Sequence, residues 1–234
     1  MIGKTDARRR RSTLLTAIAV VGVFGAMAAC SDDDDIILPT ATVRTFADSS
    51  FNFATLHTFA MPDTVAHFAP LTGTPLPVTN QFDQTILSQV RTDLLARGYT
   101  EVTASATTRP DFVVLTGVSA TQNYNAFITN GWFSYWGYWT GWGWIPGGID
   151  PAWTLVYPWY PVVGVTAFDR GTLVVTIIPT TAQVNPLIAA KQLQAVWAGV
   201  ATSLIGDGNI TQAGVQTAIN AMFQQSPYLT NTTP

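Results

Sequence analysis

Cysteine is almost missing from this chain. Cys30 stands alone among 234 residues, which excludes an internal disulfide and a cysteine-built metal site. Histidine and glutamate are nearly as scarce, with only His57, His67 and Glu101. The two histidines lie ten residues apart and no nearby carboxylate completes a zinc-type spacing. There is no serine nucleophile elbow, no phosphate-binding Gly-Lys loop and no paired carboxylates in a recognisable context. This inventory predicts a protein that is not an enzyme and carries no cofactor or metal. Charge is sparse too: Asp, Glu, Lys and Arg together make 11% of the chain, and no basic stripe exists to meet nucleic acid.

Leu14 to Ala29 is apolar and uninterrupted by charge, and it follows the basic cluster Arg8, Arg9, Arg10, Arg11. It is shorter than the ~20 residues that span a bilayer as a helix and reads as a secretory signal, residues 1–29. It closes on Met27-Ala28-Ala29-Cys30, which resembles the bacterial lipobox, with Met27 where leucine is usual. An otherwise solitary cysteine at that place is expected to be lipidated and to start the mature chain. The other readings are an ordinary signal with Cys30 incidental, or an uncleaved anchor. Since each buried methylene contributes ~0.8 kcal/mol, the several acyl chains implied by the resemblance would moor the protein permanently to a bilayer. In the lipoprotein sorting pattern that this resemblance implies, Ser31 stands at the position that favours the outer membrane in a host that has one, with the domain expected to face the periplasm. Asp32 to Asp35 follow as a hydrated tether within residues 30–40; calcium contact is the less favoured reading.

From Cys30 onward, thirteen acidic residues face six basic ones, Arg44, Arg91, Arg97, Arg109, Arg170 and Lys191, for a side-chain charge near −7. The rest, residues 41–234, suits one domain with a single core. Asn80 to Arg97 predicts a helix: Asn80 as cap, Asp83 at the positive end, Phe82, Ile86, Val90 and Leu94 as an apolar stripe widened by Leu87 and Leu95, and Gly98 at the close. Gln212 to Gln225 predicts a second, capped by Thr211, with Val215, Ala218, Ile219, Met222 and Phe223 on one face. Strands are expected at Thr42–Phe46, Thr58–Met61, Phe112–Ala120, Gly171–Ile178 and Gln192–Ala201, with Pro62 to Thr79 as an exposed connection holding His67. His57 reads as a structural or surface residue. Two helices with one apolar stripe each imply an α+β two-layer sandwich: one mixed or antiparallel sheet with both helices on the same face.

"FNFATLHTFAM" (Phe51 to Met61), "LLARGYTEV" (Leu94 to Val102), "RPDFVV" (Arg109 to Val114), "RGTLVVTII" (Arg170 to Ile178) and "QLQAVWAGVA" (Gln192 to Ala201) together resemble the bacterial lipoprotein domain family catalogued as domain of unknown function 4136. The sequence departs from that pattern at Thr176 and Pro179, where the family often has acidic residues, and in the size of an aromatic insert. The resemblance implies a fold and an envelope location, and no enzymatic mechanism.

That insert, about residues 123–161, is the richest feature of the chain. Seven of the eight tryptophans lie between Trp132 and Trp159, among glycines with no fixed period. Ordinary connections run ~4–6 residues, and disordered segments lack aromatics, so an ordered element is expected. Three roles compete for it: rings packed over the open sheet face, recognition of an envelope protein or a glycan, or contact with the lipid–water interface. The candidate binding surface is Trp132, Tyr135, Trp136, Tyr138, Trp139, Trp142, Trp144, Trp153 and Trp159. The function expected is that of a non-catalytic binding or structural lipoprotein of the envelope. The alternatives are an accessory subunit of an envelope transport or assembly complex and, third, a hydrolytic enzyme.

Overall fold

The computed structural model describes residues 42–68, 80–119, 133–158, 171–180, 185–202, 204 and 211–231, all within one compact unit, Ile37–Pro234. Cys30, the acidic run, Trp132 and Trp159 lie outside the described residues, as does most of the proline-rich connection.

Four segments of six to eight residues become the main strands, and shorter ones complete the sheets. β1 (Thr42–Ala47), β2 (Thr58–Ala60), β3 (Ala66–Phe68), β4 (Thr100–Glu101), β5 (Phe112–Ser119), β7 (Thr172–Pro179) and β9 (Trp197–Thr202) form a seven-stranded sheet. β1, β9, β7 and β5 are antiparallel neighbours in that order. On the far side of β5, β2 and β3 share one edge, both parallel to it, with β2 beside Phe112 and Val113 and β3 beside Gly117 to Ser119. β4 adds to β2. A second, two-stranded sheet pairs β6 (Thr154–Val156) with β8 (Gln192–Gln194) in parallel.

A single carboxylate fixes the junction of β2 and β5. Asp111 Oδ2 accepts the backbone N–H groups of His57 (3.0 Å) and Thr58 (2.8 Å) and the Thr58 hydroxyl (2.9 Å). The Asp111 N–H in turn donates to Thr58 O at 3.0 Å. The Pro-Asp pair therefore brings β2 alongside β5 at the start of both strands, satisfying donors that the strand pairing leaves open.

The helices are α1 (Asp83–Ala96), a short α2 (Asn185–Ala189) that patterning does not predict, and α3 (Gln212–Gln224). In α3 all five predicted stripe residues are buried, and Thr211 caps it by accepting the Gly214 N–H. α1 corrects the expectation in two places. Asn80 is not its cap, because Asn80–Phe82 winds as a 3-10 turn and Phe82, which cannot cap, precedes the helix. Leu95 does not widen the stripe but is 48% exposed, lying past the edge of the face that Ile86, Leu87, Val90 and Leu94 bury. Gly98 adopts φ +86° at the helix end, as expected.

The sheet buries both faces, following the two-residue alternation of strands. Phe112 and Val114, Leu173, Val175 and Ile177, and Trp197 and Ala201 point to the helices. Trp197 stacks on Phe223 with centroids 5.5 Å apart and donates its indole N–H to the Ser226 hydroxyl. Arg97 joins the two long helices, donating to the carbonyls of Phe223 and Leu229 at the end of α3. The phenol of Tyr99 is enclosed in this core with no hydrogen-bond partner among the described residues, and burial pushes its pKa up to about 12.

The expected single strand Gln192–Ala201 is in fact two. Up to Gln194 it pairs with β6; the Ala195 N–H donates to Val156 O, and the next residue, Val196, donates to Ile177 O in the main sheet. The run changes partners between adjacent residues, because apolar side chains on both sides (Leu193, Ala195, Val196 and Trp197 are all buried) leave no polar face to define one register.

Candidate functional site

The insert covers the sheet face that the helices leave open. Phe133–Tyr138 and Thr140–Trp144 wind as 3-10 turns, and β6 follows. Trp136, Trp142, Ile145, Ile149, Trp153, Leu155 and Tyr157 form one apolar cluster with Val113, Leu115, Val174, Ile178, Ala198 and Val200 of the main sheet. The tyrosine hydroxyl of Tyr157 lies 3.4 Å from that of Thr176. Thr176 is fully buried there, so a carboxylate at that position would have to be desolvated beneath the aromatic layer.

Within the insert the rings support each other edge to face. Trp139 meets Trp142 at 5.2 Å with planes 84° apart, and Tyr135 meets Trp136 at 5.0 Å and 85°. Trp142 continues to Trp144 at 6.1 Å and donates its indole N–H to Trp136 O at 2.7 Å. Two glycines permit this closeness. A Cβ on Gly141 would sit 2.2 Å from the Trp139 ring, and one on Gly143 would sit 2.8 Å from Ala106 N.

The predicted surface residues therefore separate by environment. Trp136 and Trp142 are each 1% exposed and Trp153 is 5%, so they are core. Trp139 and Trp144 are half-buried at the margin of the cluster. Tyr135 is 46% exposed and Tyr138 95%. Sequence reasoning misses Arg109, whose guanidinium carbon lies 4.8 Å from the Trp144 ring centroid. The only hint available is its place ahead of the Pro-Asp pair.

The histidines sit apart from this surface. His67 is not in an exposed connection but in β3, where its Nε2 is 2.9 Å from both oxygens of Asp83. The pair fastens the strand to the first turn of α1, and the other ring nitrogen is enclosed without a partner among the described residues. His57 is exposed and bonds Asn231 at 2.9 Å. Among the described residues no group of three His, Cys, Asp or Glu side chains gathers to hold a metal ion, and no helix is long and apolar enough to cross a membrane.

The family model described as Domain of unknown function (DUF4136) matches residues 43–228. A DUF4136 family protein from Bacteroides thetaiotaomicron, known as a crystal structure, is similar at 22% identity and a TM-score of 0.53, covering 82% of this chain and 98% of that one. More distant are a PDZ domain protein from Parabacteroides distasonis (15% identity, TM-score 0.43, 80% of this chain and 36% of that one) and a PelC dodecamer from Paraburkholderia phytofirmans (10%, 0.38, 81% and 98%). No curated protein matches the chain.

Proposed function

The chain belongs to the DUF4136 family, and from that premise we propose that it is an envelope lipoprotein, anchored through acylated Cys30, whose domain works without catalysis as a binding module. The acyl chains hold it to a bilayer, in the outer membrane facing the periplasm, and the acidic tether spaces the domain from the lipid. The outer edge of the aromatic insert receives a partner from the envelope.

The observation that carries the recognition reading is the split within the insert. Its inner rings are buried against the sheet, while Tyr138, one residue before Trp139, is 95% exposed beside the half-exposed Tyr135. Packing accounts for the first group and for one edge of Tyr135, which meets Trp136, and leaves Tyr138 with no ring contact among the described residues. Exposed tyrosines offer large contact area at small entropic cost, and rigid backing by the buried rings lowers that cost further.

The test is a capture experiment from native envelope with the full chain and with a Tyr135→Ala/Tyr138→Ala variant, joined to mass spectrometry of the purified protein. The expected results are a mature chain that starts at acylated Cys30 and a co-purifying component that the variant fails to retain at an unchanged thermal midpoint. An unmodified thiol at Cys30 would overturn the anchor. Equal capture by both proteins would overturn the surface.

A further inference from the structure

Arg109 differs in its surroundings from the other described basic residues. Arg91 is held by Glu101 at 2.6 Å and Lys191 by Asp150 at 2.6 Å, and Arg97 donates to helix-end carbonyls. Among the described residues Arg109 meets no carboxylate and no hydrogen-bond acceptor. Arg44, on the edge strand, also lacks an ion pair there, but no aromatic ring lies beneath it. Arg109 is exposed, and its guanidinium rests over Trp144.

Both halves of this stack are held from behind. Trp144 follows Gly143, which is pressed against the backbone of Ser105 and Ala106, and it touches the buried Trp142. Arg109 precedes the buried Pro110 and the Asp111 carboxylate that takes three donors from β2. A guanidinium laid on an indole is fixed in plane, so its N–H fork loses little freedom when it binds. It is an oriented donor set with no acceptor among the described residues.

The geometry points to Arg109 and Trp144 as the acid-reading subsite of a saccharide-binding surface: the guanidinium takes a sugar carboxylate in bidentate fashion, and the exposed rings of the same insert, Tyr135 and Tyr138, take the apolar faces of the sugars. The inference rests on the reading of the insert's outer edge as a recognition surface. A planar fork matches a carboxylate, whereas phosphate sites gather several donors. A lipid interface fits less well. Tryptophans that anchor there present their indole N–H to the polar layer, and here the N–H groups of Trp136 and Trp144 are enclosed.

The experiment titrates the full chain with an oligogalacturonate and with its methyl ester, following tryptophan fluorescence. The two probes share a sugar backbone and differ in carboxylate charge. The free acid is expected to bind about tenfold more tightly than the ester, as one exposed charge-assisted pair allows. Arg109→Gln is expected to erase that preference and leave ester binding unchanged, and Arg109→Lys to retain only part of it. Equal affinity for acid and ester, or a preference that survives in Arg109→Gln at an unchanged thermal midpoint, overturns the assignment. So does a response to inorganic phosphate or to phosphatidylglycerol vesicles in place of the saccharide. Ester binding that depends on Tyr138 without any acid preference sinks the Arg109 role alone and leaves the recognition surface standing. If neither saccharide binds, the saccharide assignment falls, and the Tyr135/Tyr138 capture result decides the broader reading separately.

Discussion

Asp93, on α1, shows how a single partly buried carboxylate can work against the fold. Burial pushes its pKa above the ordinary carboxylate range, while the Gln89 amide at 3.2 Å and the charge of Arg97 pull part of the way back. A carboxyl whose folded pKa is raised stabilises the fold most when protonated, below the unfolded value near ~4, and that contribution is lost as pH rises through the folded value. Asp93 is therefore a small liability at neutral pH. Asp93→Asn should raise the thermal midpoint at pH 7 by an amount equivalent to about 0.5 kcal/mol or less, since the site is partly solvated, and should change nothing at pH 3. A gain that persists at pH 3 would mean that charge is not the cause. Single residues with local chemistry were the most readable in the sequence. Thr211 and Gly98 act where capping rules put them. His67 was not readable, because its partner Asp83 is brought to it by the pairing of β3 with β5.

At the scale of elements, legibility followed periodicity. The stripe of α3 repeats at the helix period, β5 and β7 read as β-branched apolar runs, and the fold obeys both signals. The insert has no such repeat. Its two 3-10 turns are held by ring contacts and glycine clearances that become visible only in three dimensions, so its order was expected from composition but its layout was not. Gly141→Ala is the direct probe of that layout. The added methyl would meet the Trp139 ring at 2.2 Å, so the indole must swing out, at a cost of ~1–3 kcal/mol and with a red shift of tryptophan emission. Gly137→Ala is the control, since its Cβ would meet Ile149 O at 3.4 Å. Equal midpoints for the two variants would show that Trp139 does not lie over Gly141.

For the whole molecule, the helices and the insert enclose one sheet from opposite sides, so neither covering is optional. The sequence made both helices legible as a single layer, and the structure adds the aromatic layer across the sheet. Trp136→Ala should cost ~3–5 kcal/mol and lower the midpoint of one cooperative transition, whereas Tyr138→Ala should stay within ~0.5 kcal/mol. Thermal denaturation of the two variants separates core from surface two residues apart in one 3-10 turn only if the ring assignment is right; similar midpoints would refute it.

The change of partner at Ala195 and Val196 has a consequence for how such a domain can diversify. Three residues belong to the small sheet and, one step later, the same run becomes an inner strand of the large one. A graft of the aromatic segment onto a relative could not be made by exchanging 133–158 alone. The host would also have to adopt residues 192–196, because that stretch is a seam sewn through both fabrics, and a transplant that left it behind would arrive with nothing to be stitched to.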